Sequence, residues 1–340
     1  MGSIIFPKVG AAMLKNPRRL LGVASAMDNN LMAVVPMLGD PRFWLYALSM
    51  VDLGEISGSG PIPYVNEGQI RELRIPFPSL ETQRCIADFL DAETARVDWL
   101  IQLRTRQIAL VGERCGSALD HEFRNPNYRR TRLKYLLEMK PRYGVLVPVF
   151  VDEGVNFIRV NDLIDLNART QSLSRIPTGL SSQYSRTVTR SGDVLLSVVG
   201  EMRRVAIIRP ALAGANVARA VALLRVNRGV APELIASWLA TPDFLRQSAD
   251  ATGSDTAQPT LGMEDLANFT LSWPDSPQEQ KRLLDVTTHI QNFQNEFERV
   301  MRKQQRLLAE RRQALITAAV TGQFDVSTAS GRNVTDGITV

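Results

Sequence analysis

Cysteine is almost missing from this 340-residue chain. Cys85 and Cys115 are the only two, too few for a disulfide framework, and a reducing cytoplasm is the expected setting. No apolar run approaches the roughly 18 residues that a membrane-spanning helix needs. The start, MGSIIFPKVG, has neither the basic opening nor the long apolar stretch of a secretory signal. Histidine is equally scarce: His121 and His289 stand isolated, so no zinc-ligand set is expected. A glycine-rich phosphate loop is absent as well. Asn125-Pro-Asn-Tyr128 approaches the Asn-Pro-Pro-Tyr motif of adenine methyltransferases, but one proline is replaced and no glycine-rich cofactor strand precedes it. Pro274-Asp275 with Glu279-Gln-Lys281 is spaced too tightly for a nuclease signature, and its Glu opens a helix. These absences favour binding over catalysis.

The composition present is that of a globular protein, 44% hydrophobic and 22% charged, with length enough for two cores. Net charge is +5 with a pI near 9.4, which permits an anionic partner. Of the 40 basic residues, 34 are Arg and 6 are Lys. Arginine offers a planar fork for phosphate oxygens and guanine edges, although a GC-rich genome would give the same bias.

The chain repeats itself. Leu73-Arg-Ile-Pro-Phe-Pro-Ser-Leu-Glu-Thr-Gln83 parallels Phe269-Thr-Leu-Ser-Trp-Pro-Asp-Ser-Pro-Gln-Glu-Gln280: a strand-like run, prolines, then an acidic residue and Gln opening a helix. Gly58-Ser-Gly parallels Gly253-Ser-Asp, and Gly2–Gly10 parallels Gly192–Gly200. Three matches in one order define two copies, residues 2–119 and roughly 192–316. The segment from about 121 to 191 has no counterpart ahead of residue 2, so the first copy is expected to lack its front part.

Each copy ends in a long amphipathic helix. Leu283, Val286, Ile290, Phe293, Phe297, Val300, Gln304, Leu307, Arg311, Ala314 and Ala318 follow the three-four steps of a heptad seam. The matching seam in the first copy is Ile86, Phe89, Glu93, Arg96, Leu100, Leu103, Gln107, Leu110, Arg114 and Ser117. Polar positions recur, Gln107 with Gln304 and Arg114 with Arg311, and can fix register. Antiparallel pairing of these helices is expected; two unrelated helices, each packed on its own domain, are the alternative. A helix of about 40 residues would be roughly 60 Å long.

Residues 121–275 read as mixed α/β. Strands are expected at Val155–Val160, Asp193–Val199, Val205–Ile208 and Ala220–Val226, with a helix over Pro232–Leu239. The front of this region is strongly basic: Arg124, Arg129, Arg130, Arg132, Lys134, Lys140 and Arg142 against Glu138 alone. Such a cluster can release counterions from several phosphates.

Several of these stretches resemble one known family. Pro76-Phe-Pro-Ser-Leu-Glu-Thr-Gln-Arg84 and Pro274–Arg282 are similar to the conserved-region openings of type I restriction enzyme specificity subunits. Arg312–Asp325 resembles the end of their second conserved helix. Arg132-Leu-Lys-Tyr-Leu136, Phe157–Leu163, Gly192–Ser197 and Gly253–Thr260 resemble successive landmarks of their target recognition domains. The resemblance implies an α+β fold: mixed α/β target recognition domains joined by two long antiparallel coiled-coil helices. The expected divisions are the rear of a first recognition domain (1–75), a first long helix (76–120), a complete second recognition domain (121–275), a second long helix (276–324) and a flexible tail (325–340). It further implies a non-catalytic, cytoplasmic subunit that reads double-stranded DNA and docks adenine methyltransferase and restriction/translocase subunits. S-adenosylmethionine, ATP and Mg would then belong to those partners. A rod of roughly 60 Å would suit half-sites about two helical turns apart. The beheaded first copy departs from the family pattern. A truncated or silent cassette that docks a partner without complete DNA recognition, and a half-subunit that pairs with another copy, are therefore alternatives.

Candidate DNA contacts lie in loops and strand ends. Lys140 and Arg142 can hold phosphates, with Tyr143 beside them; Arg159 and Asn161 have the chemistry for guanine and adenine edges. Ser197, Arg203, Ser254, Thr256, Gln258 and Thr260 fall in the other landmarks that the resemblance marks. The expected helix-pairing or docking positions are Ile86, Leu100, Leu103, Gln107, Leu110, Arg114, Ile290, Phe293, Phe297, Val300, Gln304, Leu307 and Arg311.

Overall fold

The computed structural model describes residues 2–326 except 59, 61, 167, 169, 201 and 254–258. In chain order the elements are β1 (Ile4–Pro7), α1 (Ala11–Leu14), β2 (Arg19–Leu20), β3 (Leu31–Val34), α2 (Pro41–Ser49), α3 (Glu67–Arg71) and the long α4 (Leu80–Phe123). Then come β4 (Arg129–Arg132), β5 (Arg142–Tyr143), β6 (Val155–Ile158), β7 (Ser174–Ile176), α5 (Thr178–Gln183), β8 (Val194–Ser197), β9 (Val205–Ile207), β10 (Asn216–Val217) and β11 (Val221–Leu224). The chain continues through α6 (Pro232–Trp238), α7 (Pro242–Thr252), α8 (Met263–Asn268), β12 (Thr270–Trp273) and the long α9 (Pro277–Val320). No described helix is long and apolar enough to cross a membrane. Two compact units result, Met1–Gln107 with Arg299–Val340, and Ile108–Glu298. Each long helix thus contributes a part to each unit.

In the first unit, β1 is the centre of an antiparallel sheet ordered β2-β1-β3. Its alternation explains why: Ile4 and Phe6 are buried while Ile5 and Pro7 face outward. Phe6 packs with Met13, Leu53 and Val65. Asp40 caps α2, its carboxylate accepting from the Arg42 amide at 2.8 Å, and Pro41 occupies the first turn. That helix lays Phe43, Tyr46 and Ala47 against Ile86 and Leu90 of α4 and Ile316, Ala319 and Val320 of α9.

The second unit is built on the antiparallel sheet β5-β11-β8-β9. Every residue of β8 and β11 is buried, so neither strand alternates polar with apolar. Successive side chains serve two cores instead. Val194, Leu196, Ala222 and Leu224 join the cluster holding Trp238, Phe244 and Phe269. Leu195, Val221 and Leu223 join the cluster of Ile158, Leu163 and Val217 on the other face. Beside this sheet, β10 pairs in parallel with β6, and β6 pairs with β7. Gly144 is needed at a close approach: a Cβ there would meet the backbone carbonyl of Val217, whose oxygen accepts from the Val145 amide at 2.8 Å.

The internal repeat is visible in hydrogen-bond register. Ile4 faces Val34 in the first copy, and Val194 faces Leu224 in the second. Gly10 donates to the Pro63 carbonyl (2.8 Å) and Gly200 to that of Pro259 (3.0 Å). Both glycines have a positive φ, 76° and 72°. The Val9–Tyr64 and Val199–Thr260 bridges match too. Ahead of the long helices, the side-chain amides of Gln83 and Gln280 donate to Pro78 and Pro274 carbonyls at 2.8 and 3.1 Å.

One repeated expectation fails. Thr270–Trp273 forms β12, but Leu73–Phe77 is not a strand. β12 exists because β4 pairs with it from Thr270–Arg132 to Trp273–Arg129. Leu73–Phe77 has no such neighbour among the described residues.

The helix seam also needs correction. Ile86 is buried, and Leu100, Leu103, Gln107, Ile290, Phe297, Val300 and Gln304 are half-buried. Leu110, Arg114, Phe293, Leu307 and Arg311 are exposed, Phe293 by 57%. The inward stripe of α4 runs through Leu90, Thr94, Val97, Ile101, Arg104, Ile108, Cys115 and Leu119, and that of α9 through Leu283, Thr287, Gln294, Met301, Gln305, Leu308, Arg312 and Leu315. It lies one residue past the expected seam over most of both helices. Apolar residues guided the expectation, whereas several of the facing positions are polar. In the first unit, the Gln305 side-chain amide donates to the Thr105 hydroxyl (2.8 Å), and Arg312 Nε lies 3.0 Å from an Asp98 oxygen. These contacts set the start of α4 antiparallel to the end of α9. In the second unit, Gly112 faces Gln294.

Candidate nucleic-acid interface

The basic front of the second unit is folded onto its own surface. β4 carries Arg129, Arg130 and Arg132, and pairing with β12 fixes where they point. Arg129 pairs with Asp275 at 3.1 Å, and Arg130 donates to the Thr270 hydroxyl at 2.6 Å. Lys134 donates to the Asn268 side chain at 2.9 Å. Lys140 pairs with Glu264 at 3.0 Å and holds that carboxyl below the usual range. Exposed pairs of this kind contribute little because solvent screens them, so a phosphate can replace the internal partner at little cost.

The remaining candidates fall into three situations. Arg142 and Arg203 are exposed, and neither has a side-chain partner among the described residues. Tyr143 is anchored: its hydroxyl donates to the Leu261 carbonyl at 2.6 Å while part of the ring stays in solvent. Burial raises its phenol above the ordinary value. Arg159 and Asn161 belong to a side-chain network at the 3-10 turn Val160–Asp165. The Arg159 backbone amide donates to Asp162 at 2.9 Å, its Nε lies 3.3 Å from the same oxygen, and its guanidinium sits 6.0 Å from the Phe150 ring centroid. Asn161 accepts from an Arg204 guanidinium nitrogen at 2.8 Å. Arg204 was not anticipated, because only the fold brings it across to Asn161.

Ser197 is a correction. It is fully buried within β8, and its hydroxyl accepts from the Arg204 amide at 3.2 Å; it positions the Arg204 backbone and cannot touch a macromolecule. Thr260 is exposed beside Val199. Ser254, Thr256 and Gln258 lie outside the described residues, as does the expected tail from residue 327 onward. Among the described residues, no cluster of His, Cys, Asp and Glu could hold a metal ion.

A two-copy chain with paired long helices and an arginine-rich α/β unit has a counterpart among known proteins. Residues 24–107 match the family described as "Type I restriction modification DNA specificity domain". The type I restriction enzyme EcoBI specificity subunit of Escherichia coli is 24% identical over 317 residues, covering 83% of this chain. The chain spans 65% of the length of that curated relative. A solved structure concerned with complex assembly and conformational transition of the type I R-M system shares the fold. Its TM-score is 0.61 at 20% identity, over 95% of this chain and 82% of that one. The chain therefore shares the fold of that structure. In sequence, the chain is similar to a type I specificity subunit and, over residues 24–107, to the type I DNA specificity domain.

Proposed function

We propose that this chain gives a type I restriction–modification assembly its DNA sequence specificity, as a subunit without catalysis of its own. Adenine methylation and DNA cleavage would fall to partner modification and restriction/translocase subunits, which would carry S-adenosylmethionine, ATP and Mg. The observation that carries this reading is the second unit's surface. Among the described residues Arg142 and Arg203 are unpaired there, and the Arg159–Asp162 and Arg204–Asn161 pairs hold two guanidinium groups and an amide at a fixed turn. Guanidinium groups suit guanine edges and phosphates, and a side-chain amide suits adenine.

Arg142→Ala with Arg203→Ala tests it without disturbing any internal contact of the described residues. Binding of double-stranded DNA by the full chain assembled with its modification subunits should weaken at least tenfold. If both contacts are to phosphate, the slope of log affinity against log salt should fall by about 0.9 for each. Unchanged affinity and slope would remove both residues from the interface.

A further inference from the structure

Between β5 and β6 the chain rises into an apolar ridge that the core does not use. Leu146, Val147, Val149 and Phe150 are 56%, 69%, 57% and 53% exposed. The ridge is held at both ends. At its start, Val145 donates to Val217 (2.8 Å) and accepts from the Arg219 amide (3.0 Å). At its end, the Val151 amide donates to the Arg175 carbonyl at 3.0 Å. Phe150 stands edge-on to the buried Phe157, with centroids 6.0 Å apart. Pro148 at its middle lacks an amide donor and restricts the backbone. A stapled loop that keeps several large apolar side chains in water marks a contact surface.

The charges around it point to the occupant. Arg175 and Arg219 sit at the two staples, and the Arg159 guanidinium lies over Phe150. Arg142 stands exposed at the entry strand. Asp152 and Glu153 follow the ridge, two acidic residues against these four arginines, and Arg175 also donates to the Asp152 backbone carbonyl at 3.2 Å. An apolar strip framed mainly by guanidinium groups suits a polyanion with apolar groups within reach. Along the major-groove edges of DNA the only such group is the 5-methyl of thymine.

We propose that the ridge Leu146–Phe150 is a specificity element that packs against thymine methyl groups in the DNA half-site read by the second unit. The proposal rests on the DNA-specificity reading above and adds which base feature the chain senses. Arginines flanking the ridge would hold the phosphates while Val147 and Val149 meet the methyl groups.

The test uses the full chain with its modification subunits, and duplexes selected by that complex from a pool with a randomised core. Each thymine in the selected duplex is replaced by deoxyuridine, which removes only the methyl. Wild-type binding should weaken about three- to fivefold at one or more positions, the size expected for one buried methyl. Val147→Ser with Val149→Ser should bind thymine and deoxyuridine duplexes alike. Both residues are exposed, so folding should survive, as thermal unfolding would verify. Indifference of the wild type to deoxyuridine at every position overturns the ridge assignment, and so does a variant that keeps the discrimination. Loss of the modification subunits by the variant would make the ridge a protein contact and equally overturn it. A pool that yields no enriched sequence would instead defeat the specificity reading itself, and the ridge assignment with it.

Discussion

Replacing Arg225 by alanine should destabilise the second unit by about 3–5 kcal/mol, because it strands a buried carboxylate. Arg225 and Asp193 are linked by two hydrogen bonds of 2.9 and 2.7 Å, with side-chain exposures of only 9% and 2%. The same guanidinium donates to the Val188 carbonyl at 3.0 Å, and Asp193 accepts from the Arg190 amide at 2.7 Å. The hydrogen bond to Asp193 is the largest influence on Arg225 and raises its pKa. The pair therefore ties the end of β11 to the turn before β8. Urea unfolding reads the effect. Arg225→Met with Asp193→Leu should recover much of the loss, since removing both charges leaves neither group uncompensated. An Arg225→Ala chain as stable as wild type would mean that water or another cation reaches Asp193.

In the first unit the largest expected loss comes from Phe43→Ala, about 3–5 kcal/mol. Phe43 is fully buried where α2 meets the start of α4 and the end of α9, touching the cluster of Tyr46, Ile86, Leu90, Ile316 and Ala319. Residues from three helices line the hole that alanine would leave, and they cannot all close in. The seam beyond this cluster is interrupted by the polar residues Thr94, Arg104, Gln305 and Arg312. The apolar contact at Phe43 therefore carries much of what fastens α2 to the helix pair. Limited proteolysis and urea unfolding should both report the loss. Loss below about 1 kcal/mol would show that the cluster repacks.

The sequence was most legible where one physical rule decided the outcome. Ile4–Pro7 and Val194–Ser197 are strands in both copies because β-branched and aromatic residues suit a pleated sheet, and the glycines bounding them adopt positive φ. The two 44-residue helices were legible from their length and period. Their seam was misread because Thr287, Gln294 and Gln305 face inward, while Phe293 and Leu307 face water. Apolar periodicity finds a buried stripe only when the stripe is apolar. Leu73–Phe77 was misread for a different reason: a strand needs a partner, and pairing is not a local property.

Among candidate contacts, residue type showed which side chains could bind DNA but not which are free to do so. Ser197 is sealed in a strand whose two faces both meet cores, and Lys140 already has Glu264. Arg204 and the Arg225–Asp193 pair were invisible because their partners lie 43 and 32 residues away. The ridge at Leu146–Phe150 went unnoticed because an apolar pentapeptide containing proline reads as ordinary core or loop.

The central claim is that this chain discriminates one DNA sequence from others. Competition binding tests it most directly, at fixed salt, with the duplex selected by the chain and its modification subunits set against a scrambled duplex of equal length and composition. The account predicts that the selected duplex binds at least about 1,000-fold tighter. Equal affinity for the two duplexes would contradict it.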